Sequence, residues 1–180
     1  MAVALHSVKP ATGTASAGNG YGSSSVPPPY TAFDPGSGSD RLLLSLAAMA
    51  PTHTPYTLNN DGTYGGVAMT RGAAGTDAVG NEFRVYSLLA PSSTPGNIQY
   101  TGTNTDQRLS ALVCSFTGTS GLTAYAATNH GSTNNPTKTL NCPTGSIAVM
   151  FGFTFDVGTN ARLTAADGTS QFDEDMLFAG

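Results

Sequence analysis

The stretch from Arg41 to Phe116 constrains this chain most: strand-length apolar runs alternate there with clusters of Gly, Pro, Asn and Thr. Arg41-Leu42-Leu43-Leu44-Ser45-Leu46-Ala47-Ala48-Met49 is closed by Pro51, and Tyr64-Gly65-Gly66-Val67-Ala68-Met69-Thr70 follows. Glu82-Phe83-Arg84-Val85-Tyr86-Ser87-Leu88-Leu89-Ala90-Pro91 and Leu109-Ser110-Ala111-Leu112-Val113-Cys114-Ser115-Phe116 complete the series. Short apolar runs bounded by turn formers predict an all-β chain, an antiparallel β-sandwich of jelly-roll or Ig-like kind with an extended N-terminal arm. Leu42–Met49 is apolar at nearly every position and reads as a central strand covered on both faces; a helix over Leu42–Ala50 is the competing reading.

Composition agrees. The 180 residues include 22 Gly, 11 Pro, 25 Thr and 17 Ser, so turn and strand formers outnumber the Lys and Glu that favour surface helices. Only 10% of residues are charged, against roughly 25% in an ordinary soluble domain. The surface must therefore be solvated by hydroxyls, amides and backbone, or be covered by neighbours. The seven cations, Lys9, Arg41, Arg71, Arg84, Arg108, Lys138 and Arg162, are scattered singly, and the net charge is -4. That distribution offers no footprint for direct nucleic-acid binding. The first residues lack the basic and apolar regions of a signal peptide, and no apolar run approaches the ~20 residues of a membrane-spanning helix. The expectation is a soluble chain made in the cytoplasm, with Cys114 and Cys142 as buried reduced thiols; a disulfide between them is the alternative.

Along the chain, residues 1–39 read as an arm and residues 40–180 as the sandwich. Val3, Leu5 and Val8 suit one short strand; Ala11–Ser25 is a Gly/Ala/Ser/Thr tract too poor in apolar surface to order itself. Pro27-Pro28-Pro29 imposes an extended segment, with Tyr30 and Phe33 placed to anchor it. The arm is either a flexible terminus or a segment that crosses to a neighbouring subunit and orders there. Further on, Asn59-Asn60-Asp61-Gly62 has tight-hairpin chemistry, and Tyr64-Gly65-Gly66-Val67 reads as a short strand with a bulge. Arg71–Asn81 reads as a glycine-rich loop, Ile98 with Tyr100 and Leu122–Ala127 as short strands, Asn129–Thr137 as a polar loop, and Ser146–Phe155 as the most apolar strand.

Catalytic patterns are lacking. His6, His53 and His130 have no Cys or carboxylate beside them in sequence, no zinc-ligand spacing occurs, and no Gly-x-Ser-x-Gly elbow is present. The expectation is a non-enzymatic protein with no cofactor or metal. Asp173-Glu174-Asp175 lacks the spacing of a calcium loop and reads as a solvated acidic segment or a partner for an Arg on a neighbour. Phe151, Phe153 and Phe155 read as core. Tyr56, Tyr64 and Tyr125 are the better candidates for sugar contact, although strand-end packing is the commoner role of such residues.

From Gly36 to about Phe155 the chain resembles a β-sandwich domain that recurs in tailed-phage virion structural proteins and in some bacterial surface proteins. The likeness rests on Gly36-Ser37-Gly38-Ser39-Asp40-Arg41-Leu42-Leu43, Thr63-Tyr64-Gly65-Gly66-Val67-Ala68-Met69-Thr70, Val85-Tyr86-Ser87-Leu88-Leu89-Ala90-Pro91 and Ala111-Leu112-Val113-Cys114-Ser115-Phe116-Thr117-Gly118. The resemblance implies a capsid decoration or cement protein, a homo-oligomer (a trimer most concretely) seated on the major capsid protein, assembled in the host cytoplasm and localised to the virion. Resembled domains continue with further strands, whereas here only Ala161-Arg162-Leu163 and Met176-Leu177-Phe178 remain as candidates. An uncovered edge or face would then take a strand from a neighbouring subunit or from the arm. Val26, Pro28, Tyr30 and Phe33, with Met176, Leu177 and Phe178, are the expected subunit contacts. A tail accessory protein is the nearest variant. A carbohydrate-binding or adhesin module using loops Thr52–Asp61, Arg71–Asn81 and Asn129–Pro136 is the alternative class, disfavoured by the absence of Trp.

Overall fold

The structure, a computed structural model, describes residues 3–9, 30–51, 62–76, 82–100, 107–122 and 144–149. These are all-β. Nine strands run in chain order: β1 (Ala4–Lys9), β2 (Tyr30–Phe33), β3 (Arg41–Pro51), β4 (Thr63–Tyr64), β5 (Val67–Ala68), β6 (Thr70–Thr76), β7 (Glu82–Leu89), β8 (Gly96–Gln99) and β9 (Gln107–Thr117). They form two antiparallel sheets, ordered β1-β9-β3-β7-β6 and β2-β8-β4-β5. The architecture is an antiparallel β-sandwich.

The near-continuous apolar runs occupy the middle of the larger sheet, where a strand has a neighbour on each edge and a layer on each face. β3 pairs with β9 from Arg41 opposite Thr117 to Pro51 opposite Gln107, and with β7 from Leu42 opposite Leu89 to Met49 opposite Glu82. Residues 41–47 are buried without interruption, so both side-chain parities of β3 are covered. A helix over Leu42–Ala50 is therefore excluded.

One parity fills the space between the sheets. Leu43 and Ala47 of β3, Ala111 and Val113 of β9 and Tyr86 of β7 join a cluster with Phe33, Tyr64, Met69, Ile98 and Tyr100 from the smaller sheet and its flanks. The Tyr86 and Tyr100 rings lie 5.4 Å apart at 46°, within the favourable range for tilted aromatic pairs. The other parity, Leu42, Leu44, Cys114 and Phe116, forms a second apolar cluster on the outer face, against which Val3, Leu5, Val8, Leu122 and Val149 pack.

Three local expectations are corrected. Gly65 and Gly66 do not bulge a strand; with φ of +56° and +83° they are the two-residue turn of the β4–β5 hairpin, left-handed at both positions as such turns require. Arg71–Thr76 is not loop but most of β6, held by pairing with β7 through a register shift between Arg71 and Ala74. Ser146–Val149 carries no strand, and Ile147 is exposed; the rest of the run to Phe155 lies outside the described residues. The hairpin turn at Asn59–Asp61 also lies outside them, and Gly62 is buried. The stretch read as an arm contributes β1 to the larger sheet and β2 to the smaller one, on either side of residues that are not described.

Candidate functional site

β1 is the element whose construction asks for an explanation beyond folding. Its sequence, Ala-Leu-His-Ser-Val-Lys, spaces Leu5 and Val8 three apart, so a regular strand would send them to opposite faces. The pairing with β9 resolves this. Leu5 lies opposite Phe116, Ser7 opposite Ser115 and Val8 opposite Cys114, with a register shift between Leu5 and Ser7. His6 is the extra residue of the resulting bulge, and its insertion returns both apolar side chains to the outer face. Cross-strand rows then run Leu5–Phe116–Leu42 and Val8–Cys114–Leu44. Adjacent apolar pairs of this kind are the units that stabilise a sheet.

The bulged His6 projects towards the segment that follows β2. Its Nε2 lies 3.6 Å from Oδ2 of Asp34, and its ring sits against Gly36, where an added Cβ would approach to 3.0 Å. The backbone N–H of Gly36 donates to Oδ1 of Asp34 at 2.9 Å. That hydrogen bond, and then the neighbouring His6, hold the Asp34 carboxyl below its usual value. A side chain at position 36 would crowd the ring and require it to shift, and φ of +91° already favours glycine there. β1 is thus tied to the chain at three places: the β9 ladder, the outer apolar cluster, and the Asp34–Gly36 segment.

Cys114 lies opposite Val8 of β1 on the neighbouring strand. It is a free thiol, 5% exposed, and burial pushes its pKa up to about 12. A thiol this far from ionisation is a small apolar filler rather than a nucleophile.

Two polar side chains in the interior, Arg41 and Tyr64, tie separate segments together. Arg41 is buried and directs Nε and a terminal nitrogen to the carbonyl oxygen of Pro91, while the N–H of Ala90 donates to the Arg41 carbonyl at 2.8 Å. The Tyr64 hydroxyl lies 2.9 Å from the carbonyl oxygen of Thr94, 3.1 Å from that of Phe33 and 3.4 Å from that of Ser92. With one hydrogen to donate, it holds β2 and the β7–β8 connection together. Tyr64 is 1% exposed and a core residue, so it is not a surface platform for sugar. At one end of β7, Arg84 and Glu82 form an ion pair of 3.0 Å. Among the described residues no group of three His, Cys, Asp or Glu side chains is arranged to hold a metal ion, and no helix is long and apolar enough to cross a membrane.

Of the expected subunit contacts, Phe33 is 1% exposed and packed in its own chain's core. Tyr30 opens β2, opposite Ile98 of β8. Val26, Pro28, Met176, Leu177 and Phe178 lie outside the described residues, as do His53, His130, Cys142, Tyr56, Tyr125 and the acidic run 173–175. The loops Thr52–Asp61 and Asn129–Pro136, with residues 77–81, also lie outside them. The β1 bulge and the approach of His6 to Asp34 escaped sequence reasoning; the three-residue spacing of Leu5 and Val8 in a short strand was the available signal.

Compared with known proteins, the chain matches no family model, no curated protein and no solved structure.

Proposed function

We propose that this chain is a non-enzymatic structural subunit of a tailed-phage virion, most concretely a head decoration or cement protein. It acts as a homo-oligomer, a trimer, seated on the major capsid protein, without direct contact to nucleic acid. The observation that carries the reading is the outer face of the larger sheet: Leu42, Leu44, Cys114 and Phe116 form an apolar surface against which the N-terminal strand and the separate segments at Leu122 and Val149 pack. An apolar outer face that is extended at its edge by the side chains of β1 and touched by residues far apart in the chain suits a subunit whose stability is shared with its neighbours. The sparse charge, 10% of residues, supports the same reading, since such a surface loses little by being covered. Its work is mechanical, burying apolar segments across capsomer boundaries against internal pressure.

The test is co-sedimentation of the purified chain with shells assembled from the major capsid protein of the same genome, alongside a glycan array. Saturable binding to shells and a blank array are expected. Glycan binding without shell binding would replace this reading with the adhesin one.

A further inference from the structure

We propose that β1 is an exchangeable strand: in the assembled protein the Ala4–Lys9 strand of one copy occupies the β9 edge of the next. This names the contact through which the proposed homo-oligomer forms, and so rests on that reading.

The occupant of this edge is fixed by what already sits on it. β1 forms the outermost ladder of the larger sheet, paired with β9, and its bulge brings Leu5 and Val8 onto Phe116 and Cys114. Every feature of that seat is equally available to an identical strand from a second copy, because exchange of an identical element reproduces the same contacts. His6 would meet Asp34 of the receiving copy, and the ring would lie against that copy's Gly36. No new surface has to be complementary.

Reach permits it. Residues 10–29, twenty in number, separate Lys9 from Tyr30. Their contour is at most about 70 Å, whereas a compact chain of this length has a radius of gyration of about 16 Å. The connection is thus long enough for β1 to return to its own body or to reach an adjacent one. In a shell, neighbours held at fixed short range make the second outcome competitive with the first. A strand donated in turn around a ring leaves every β9 edge occupied, so the arrangement closes as a cyclic oligomer must.

Register makes the test direct. Val8 and Cys114 are opposite one another, and paired antiparallel residues have Cα separations of about 4.5–5.5 Å, within the range a disulfide spans. Two chains are mixed in equal amounts in denaturant, refolded together and oxidised. One carries V8C, C114S and C142S, and the other carries C142S alone, so a Val8→Cys to Cys114 bond can form only between copies. Exchange predicts that about half of the first chain is recovered as the mixed disulfide dimer, as random partner choice requires. A second pair, A4C with T117C in a C114S/C142S background, uses an exposed and a half-buried position in the same register and guards against misfolding of the first and against the low reactivity of buried Cys114. The single chain V8C/C142S and the native mass of the unaltered protein are measured in parallel. An oligomer whose crosslinks all lie within one chain overturns the exchange and leaves the assembly reading standing. A monomer with crosslinks within one chain overturns both. No crosslink at either pair contradicts the β1–β9 seat itself and overturns the exchange as well.

Discussion

Ser45 and Tyr100 hydrogen-bond across the interior of the sandwich, joining the middle of β3 to the residue that follows β8. The Ser45 hydroxyl also donates to the carbonyl oxygen of Leu112 at 3.0 Å. Its single hydrogen is thereby committed, so the Tyr100 phenol is the donor in the bond between them. Both residues are buried, and the pair links the two sheets at a point where Tyr86 and Tyr100 also pack. Ser45→Ala is expected to destabilise the fold by about 1–3 kcal/mol, the range for disrupting a buried polar pair. Tyr100→Phe should cost less than Ser45→Ala, and the double variant less than the sum of the two. Urea denaturation of the three variants measures the coupling.

Arg41 and Pro91 hold the end of β3 to the turn after β7. Two guanidinium nitrogens converge on one carbonyl oxygen, a geometry that the single ammonium of lysine does not reproduce. Arg41→Lys is expected to lower stability by about 1–2 kcal/mol although charge is conserved. Equal denaturation midpoints for the variant and the natural chain would show that the second donor contributes nothing.

Gly36 and Gly38 provide an internal comparison. Both have positive φ, +91° and +97°, but only at Gly36 does an added Cβ meet other atoms, the ring of His6. Gly38→Ala should cost the backbone term alone, about 1–2 kcal/mol. Gly36→Ala should cost more and should displace His6 from Asp34. His6→Ala in the Gly36→Ala background is expected to recover the difference, read by denaturation and by the histidine ring resonances.

Cys114 should resist thiol reagents while the chain is folded. Burial raises its pKa from 9.0 to about 12, so the folded state binds the thiol proton more tightly than the unfolded chain does. The associated stability is complete below pH 9 and is lost as pH rises from 9 towards 12. In a Cys142→Ser background, no labelling at pH 8 in buffer and one label per chain in denaturant are expected. Rapid labelling of the folded chain would mean that the outer cluster around Cys114 opens readily.

What the sequence made legible was decided by how much each element carries its own signal. β3 and β9 are near-continuous apolar runs, and their burial and central position follow from that pattern, whereas β7 interleaves Glu82, Arg84 and Ser87 with apolar residues and is buried only in part. β6, Thr-Arg-Gly-Ala-Ala-Gly-Thr, has neither the aromatic nor the bulky β-branched residues that mark a strand; pairing with β7 makes it one. The apolar run beginning at Ser146 shows the converse, since hydrophobicity alone gives Ser146–Val149 no ladder partner. The candidate site was less legible. Val3, Leu5 and Val8 announce a short strand, but its seat on β9, the bulge at His6 and the approach to Asp34 depend on residues far apart in sequence. Phe33 reads as an anchor for the arm because it follows a proline-rich segment; its side chain is instead buried in the core cluster that also holds Tyr64.

The proposal that the chain is a structural subunit of a virion is tested most directly by its copy number in virus particles purified from a culture that carries its gene. Quantitative mass spectrometry against the major capsid protein should find the chain in gradient-purified particles at a fixed ratio that matches trimers on the shell. Absence of the chain from those particles, with the protein present in the lysate, would contradict the account.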